Sequence, residues 1–377
     1  MRVLIDFTQI PKQKVGVGIY ARNLLKGLQQ ADKNNNYYCL IQDDDNELIG
    51  LVQSNNFYVI RINHVIYRKF LLRIIFEQIG IPILCLLKKI HLVHSLHYSY
   101  PLVPLRAQKV ITIHDLIFVK FPHYHIWIKR LYFRFFLFLL SRLTHQIICV
   151  SSFTRNDFID FYSIKDYKQD RLNVVLLAVE KPVVPPHDWE VISKKMNLHE
   201  PYLLYIGTIE PRKNIQRLIE AFRTVINAGM KYQLVIVGKK GWMYSTVFKR
   251  IKELNLKDNV NFCGYLSDDE KYILLSRAAI FVYPSLYEGF GLPVLEAIQM
   301  KVPVITSNTS SLQEVAGNAA LLINPVNTDD LSEAILRLLS DSLLKSKLLA
   351  NCDEQAKRFS ITTMAIETIK IYERCGR

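Results

Sequence analysis

Thirteen short runs rich in Val, Ile, Leu and aromatic residues punctuate the chain, separated by longer segments whose apolar residues recur at helical spacing. In the first half they are VLIDF, YYCLI, YVIRI, HLVHSL, KVITIHD, QIICVS and NVVLLA; in the second, YLLYIGT, QLVIVG, NVNFCG, AIFVYPS, VPVITS and ALLIN. Runs this apolar read as strands buried on both faces, and helix-length connections between them are the pattern of parallel sheets covered by helices. The expected architecture is α/β, built twice.

Length agrees with two domains, because 377 residues exceed the roughly 250–300 at which a single core stops growing. The Pro-rich stretch VEKPVVPPHDWE, from Val179 to Glu190, follows the last run of the first half and reads as a semi-rigid linker. The expected division is 1–180, 181–355 and a final helix over 356–377 that can belong to either domain. Ligands of open α/β sheets sit outside the carboxyl ends of the strands. Two such domains would turn those ends toward each other across a cleft, so the polar residues that follow strands are the candidates.

After VLIDF, Gly16 and Gly18 stand before a helix expected to begin near Ile19, where backbone N–H groups can approach a phosphate or an acceptor. KVITIHD ends in His114, suited to donate to a sugar hydroxyl or to move a proton near neutral pH. His94 and His97 read as wall or packing. YLLYIGTIEPRKN brings Gly207, Arg212 and Lys213 between a strand and a helix. Two cations at a helix start oppose the dipole, and an anionic ligand such as a diphosphate would justify them. AIFVYPS is followed by YEGFGLPVLEA, with Glu288 before a Gly-Phe-Gly loop and Glu296 expected in the first turn of the next helix. A first-turn Glu complements the dipole; Glu288 has no such structural excuse.

Glu288 and Glu296, with GFGLPVLEA between and within, closely resemble the E-x7-E motif of retaining glycosyltransferases of family 4, which have the GT-B fold. VGVGIYARNL, FEQIGIP, VHSLHYSYPL, TIHDLIFVKFP, GTIEPRKN, FCGYLSDDE and SSLQEVAGNAALLINP follow in the order of that family, and FEQIGIP and VHSLHYSYPL resemble its bacterial surface-polysaccharide mannosyltransferase-like members. The resemblance implies two Rossmann-like domains, the first for the acceptor and the second for a nucleotide sugar. It implies that Glu288 meets the donor sugar's hydroxyls, Glu296 the ribose, and the amides of Phe290, Gly291 and Leu292 the sugar and diphosphate. Lys213 matches the family's diphosphate lysine, His114 a histidine near the donor sugar, Gly16 and Gly18 the loop near diphosphate or acceptor, and Gly264-Tyr265 a base-binding segment. Many members carry Arg where this chain has Thr208, and Arg212 is taken to supply that charge. The implied activity is retaining, metal-independent transfer of a hexose, GDP-mannose favoured, to a lipid-linked oligosaccharide. The alternative within the fold is a UDP- or dTDP-sugar and a soluble acceptor.

Net charge is +14, of which +10 falls on residues 1–180, so the first half favours an anionic partner. A nucleic-acid-binding protein would also be basic, but no nucleic-acid motif is present and such a role leaves the two glutamates unexplained. Phe70 to Leu87 and Ile126 to Leu143 are apolar yet interrupted by Arg73, Glu77 and Pro82, and by Lys129, Arg130, Arg134 and Arg142, so neither is expected to span a membrane. Their mixture of basic and apolar residues suits an anionic membrane surface, although Ile126 to Leu143 is apolar nearly all round and also reads as a core helix. The opening MRVLID does not read as a signal peptide, and six scattered cysteines read as reduced packing thiols. The expected location is cytoplasmic, peripheral on the inner face of the cell membrane. Asp43-Asp44-Asp45 reads as a solvated loop; neither metal nor cofactor is expected.

Overall fold

The computed structural model describes residues 1–376 apart from 13, 122–126, 144 and 186–188. The chain divides into two compact units, Met1–Glu180 with Phe359–Arg377, and Lys181–Arg358. The expectations for Ile126 and for part of the linker fall outside the described residues.

Every expected run contains a strand. The first unit holds β1 (Arg2–Asp6), β2 (Asn36–Gln42), β3 (Phe57–Ile62), β4 (Leu92–Ser95), β5 (Gln108–Ile113), β6 (Gln146–Cys149) and β7 (Leu172–Val174), ordered β3-β2-β1-β4-β5-β6-β7. The second holds β8 (Tyr202–Ile206), β9 (Gln233–Val237), β10 (Val260–Gly264), β11 (Ile280–Tyr283), β12 (Val304–Ser307) and β13 (Ala320–Ile323), ordered β10-β9-β8-β11-β12-β13. All neighbours are parallel. Central strands such as β8, β9, β11 and β12 are buried throughout, as a sheet covered on both faces requires. Strand order reverses between β1 and β4 in one sheet and between β8 and β11 in the other. Those reversals are where the loops part and a crevice opens at the carboxyl edge.

The helix Ile361–Gly376 completes the first unit by packing on the helix Val17–Ala31. Gly27 allows the approach, since a Cβ there would lie 2.8 Å from the Ile361 carbonyl oxygen. His94 pins the same helix to the sheet: its ring nitrogens lie 2.6 Å from Tyr372 Oη and 2.8 Å from Thr112 Oγ1. Burial, then the neighbouring His114, pull its pKa down to about 3, so it is a neutral packing residue.

Three local expectations are corrected. The helix after the glycine pair begins at Val17 with Gly16 as its N-cap, so Gly18 lies inside the first turn. Asp45 is buried rather than solvated: it caps the helix Asn46–Leu51 and pairs with Lys14. Its neighbours Asp43 and Asp44 bring ligand atoms within 4.8 Å of one from His64, and Asp43 Oδ1 lies 2.6 Å from His64 Nδ1. Finally, Phe70–Ile75, a π-helical turn Phe76–Gly80 and Ile81–Leu87 form one continuous 18-residue helical run that is long and apolar enough, by length and composition alone, to cross a membrane, and 22% of it is buried inside the unit.

Candidate active site

The loops that follow β8 and β11 meet at the reversal of the second sheet. Gly207 follows β8 with its N–H donated to the Val237 carbonyl, and a Cβ on the neighbouring Gly238 would sit 1.9 Å from the Gly207 oxygen, so only glycine fits there. Arg212 and Lys213 follow on the 3-10 turn Pro211–Lys213, immediately before the helix Ile215–Asn227. Asn214, at φ 61, donates to the carbonyls of Pro284 and Pro325, while Leu286 N–H donates to Arg212 O at 2.8 Å. These bonds fasten the two loops together.

Glu288 is the centre that results. Arg212 Nη1 lies 2.8 Å from its Oε2 and Lys213 Nζ 2.5 Å from its Oε1, while the Ser285 and Tyr283 hydroxyls donate to Oε1 at 2.7 and 3.1 Å. Arg212 also reaches Glu210 and the Tyr287 carbonyl, both at 2.6 Å, and Lys213 reaches Tyr283 Oη at 2.6 Å. Burial alone would raise the Glu288 pKa; Arg212 and Lys213 outweigh it and hold the carboxyl down at about 2. Burial, then Arg212, lower the Lys213 pKa against the pull of Glu288. The sequence looked to an outside anion to explain two cations before a helix. Within the unit, Glu288 already supplies negative charge to both.

Gly291, at φ 112, turns the chain into the helix Leu292–Gln299, whose N-terminus has no side-chain cap. The Ser311 hydroxyl, 2.9 and 2.8 Å from the Glu288 and Phe290 carbonyls, holds this loop. Glu296 is the fifth residue of that helix, in its second turn rather than its first, so the dipole does not explain it. Its partners are Lys271 Nζ at 3.0 Å and the Tyr272 hydroxyl at 3.2 Å, from the helix Asp268–Arg277 that a Ser267–Glu270 capping box starts. Despite its burial, Lys271 has a raised pKa, chiefly through Glu296. Glu288 and Glu296 thus belong to two separate groups of side chains.

This arrangement sits on a chain with clear relatives. The model for Glycosyltransferase Family 4 matches residues 15–180 and that for Glycosyl transferases group 1 matches residues 188–359. The O-antigen chain mannosyltransferase B of Escherichia coli is 34% identical over 72% of this chain and 72% of its own length. The chain belongs to glycosyltransferase family 4. The O-antigen chain mannosyltransferase RfbU of Salmonella typhimurium is 30% identical over 65% of this chain, spanning 64% of the relative. Anabaena HepE, solved in complex with UDP-glucose, superposes with a TM-score of 0.77 at 16% identity, covering 99% of this chain and all of its own, and supports the GT-B fold.

The remaining expected residues of this family 4 glycosyltransferase are dispersed. Gly264, at φ 69, ends β10 with its carbonyl accepting from Gly238 N–H; Tyr265 is half exposed under Lys239 Nζ, 4.9 Å from its ring centre. Gly16, Gly18 and His114 belong to the first unit. Nε2 of His114 lies 2.9 Å from the Leu96 carbonyl, which can only accept, so Nε2 carries the proton. Burial lowers its pKa, so the ring is neutral and Nδ1 is an acceptor rather than the donor the sequence suggested. Sequence reasoning missed Lys271, Tyr272, Tyr283 and Ser285, although Lys271-Tyr272 directly follows FCGYLSDDE.

Proposed function

We propose that this glycosyltransferase moves a hexose, mannose from GDP-mannose, to a lipid-linked saccharide in surface-polysaccharide synthesis, with retention at the anomeric carbon. The observation that carries the reading is the Arg212–Lys213–Glu288 cluster at the reversal of the second sheet, beside the uncapped N-terminus of Leu292–Gln299. The names of the two O-antigen mannosyltransferase relatives favour mannose and a polysaccharide product.

In this reading the donor's hydroxyls take over Glu288, and its diphosphate draws on Arg212 and Lys213 and on the amides of Phe290, Gly291 and Leu292. Charge develops on the diphosphate as the glycosidic bond breaks, and fixed cations and amides stabilise it without reorganising, so no metal ion is required. Glu288 orients the sugar and does not attack it. Glu296, held by Lys271 and Tyr272, takes the ribose, and Gly207, Gly264 and Tyr265 border the nucleoside. Gly16, Gly18 and the Nδ1 acceptor of His114 serve the reacting sugar and its acceptor.

An anionic membrane is the proposed surface for the lipid-linked acceptor. Leu71, Leu72, Ile75, Ile79, Ile83, Leu86 and Leu87 are exposed along the 70–87 run, and Trp127, Ile128, Leu131, Phe135 and Phe138 along the helix Trp127–Arg142. The two helices touch through Phe70 and Tyr132, ring centres 5.2 Å apart. Exposed Lys69, Lys88, Lys89 and Arg134 complete a cationic apolar face of the kind that rests on lipid headgroups.

A thermal-shift series with GDP-mannose, UDP-glucose and dTDP-rhamnose tests the donor, since a ligand of the folded state raises Tm by mass action. GDP-mannose is expected to stabilise most. If no nucleotide sugar stabilises the protein, the donor site is wrong; a β-mannoside formed from the α-linked donor, read from the one-bond C1–H1 coupling of the product, would overturn retention.

A further inference from the structure

The first sheet has its own reversal, between β1 and β4, and a buried polar cluster occupies it. Gln9 follows β1 by three residues, Ser99 follows β4 by four, and both converge on Glu77, which the π-helical turn Phe76–Gly80 carries and which is 1% exposed. Gln9 Nε2 donates to Glu77 Oε2 at 3.0 Å and to Ser99 Oγ at 2.7 Å, and Ser99 donates to the same Oε2 at 2.7 Å. Gln78 Nε2 and the Tyr132 hydroxyl donate to Oε1 at 2.9 and 3.1 Å. Above about pH 7 the ionised Glu77 carboxylate only accepts, so there the amide nitrogen of Gln9 faces it and Gln9 Oε1 faces away. That oxygen is buried and has no hydrogen-bond partner among the described residues, and neither has Nδ1 of His97, two residues before Ser99. Gln78 offers the contrast, its Oε1 taking Leu102 N–H at 2.7 Å.

Buried polar atoms are nearly always paired, and a π-turn inside a helical run is frequently found at functional sites. The charges around the cluster select the ligand. Asp6, whose pKa burial raises, acts on Glu77 from β1 and Arg73 from the same helical run, so two acidic groups face one guanidinium. A phosphate would be repelled there, whereas a neutral polyol brings the hydroxyl hydrogens that an unpaired carbonyl oxygen lacks. We propose that this cluster is a saccharide subsite, in which Gln9 Oε1 takes a hydroxyl hydrogen of the acceptor's terminal sugar, His97 Nδ1 pairs with a second hydroxyl, and Glu77 is the positioning residue that fixes Gln9 and Ser99. The inference rests on the saccharide acceptor of the proposed function and is independent of its donor. Burial, then Asp6, push the Glu77 pKa up to about 7 against the hydrogen bonds of Ser99 and Tyr132 and the charge of Arg73. The other titratable neighbours are Tyr67, whose phenol is raised by burial, and His97, held neutral by burial. Protonating Glu77 makes one of its oxygens a donor and frees the Gln9 amide to turn.

Methyl α-D-mannopyranoside, methyl α-D-glucopyranoside and methyl N-acetyl-α-D-glucosaminide, which have no lipid tail to adhere to the apolar face, serve as probes of the full-length protein by saturation-transfer NMR, with GDP titrated in parallel. Gln9→Ala and Glu77→Gln are expected to raise the glycoside Kd at least tenfold while leaving the GDP Kd within twofold. Wild-type glycoside affinity should fall as pH drops through about 7, and that dependence should vanish in Glu77→Gln, a change that mere loss of packing would not produce. Wild-type protein that binds none of the glycosides, or a Gln9→Ala variant that binds them as well as wild type, overturns the subsite. Failure to bind GDP with glycoside binding intact overturns the proposed donor and leaves the subsite standing.

Discussion

Lys213 Nζ lies 2.5 Å from Glu288 Oε1, although 75 residues separate them, and both side chains are about nine-tenths buried. Removing one member of such a pair strands the other's charge away from water, a loss of about 3 to 5 kcal/mol where buried pairs have been broken. Glu288→Ala leaves both Arg212 and Lys213 without the carboxylate they share. Its expected outcome is a Tm well below wild type together with loss of transfer. A Glu288→Ala protein that melts with wild type would show that the cluster does not hold the second unit together.

The same pair sets an acid limit. The Glu288 pKa is about 2 in the folded chain, against 4.5 for an unperturbed glutamate, so the unfolded chain takes up the proton first as pH falls. The stabilisation is therefore complete above pH 4.5 and is lost as pH descends toward 2, on the order of 3 kcal/mol for a shift of this size. Urea unfolding of wild type and Glu288→Gln across that window isolates the contribution, because the other carboxylates cancel in the difference. The gap between the two proteins should narrow toward pH 2; a constant gap would contradict an ionised Glu288.

Gly27 sets how closely the helix Ile361–Gly376 can lie on Val17–Ala31, because a methyl group there would come within 2.8 Å of the Ile361 carbonyl oxygen and 2.9 Å of Ala365 Cβ. Neither contact is the end of a flexible side chain. Gly27→Ala is expected to destabilise the first unit by about 1 to 3 kcal/mol, as overpacking does, despite alanine's better helix propensity. Equilibrium unfolding decides it, and a more stable variant would mean that the helices part at little cost.

The sheets were legible because a strand buried on both faces writes itself as an uninterrupted apolar run, which is why YLLYI and QLVIV predicted β8 and β9 so directly. That Arg212, Lys213 and Glu288 would lie close together was legible for a related reason, since topology sends the loops after β8 and β11 to the sheet reversal. What joins them was not. Arg212 finds Glu288 across 76 positions, and Lys271 finds Glu296 across 25, through contacts that only the assembled sheet creates. The Glu296 turn was misjudged because Gly291, rather than a later residue, caps its helix, so the helix starts ahead of Pro293 and Glu296 falls one position deeper. The segment Trp127–Arg142 looked apolar all round because two different apolar surfaces share it: Phe133, Phe136, Leu137 and Leu140 pack into the core, and Leu131, Phe135 and Phe138 face outward.

That outward surface yields a last prediction. Leu71, Ile75 and Leu131 are 73%, 53% and 63% exposed, so replacing them with serine removes little packing and should leave Tm nearly unchanged. On a bilayer the same side chains would enter the headgroup boundary, where burying an aliphatic side chain is worth roughly 1.5 to 3 kcal/mol at full burial. The triple variant Leu71→Ser, Ile75→Ser, Leu131→Ser is therefore expected to bind vesicles containing phosphatidylglycerol at least tenfold more weakly than wild type. Raising the salt should weaken wild type further through Lys69, Lys88, Lys89 and Arg134, whose attraction to anionic lipid is screened beyond about 10 Å at 0.1 M. Vesicle sedimentation with both proteins separates the two contributions. Equal binding by wild type and variant would assign this apolar face to something other than lipid.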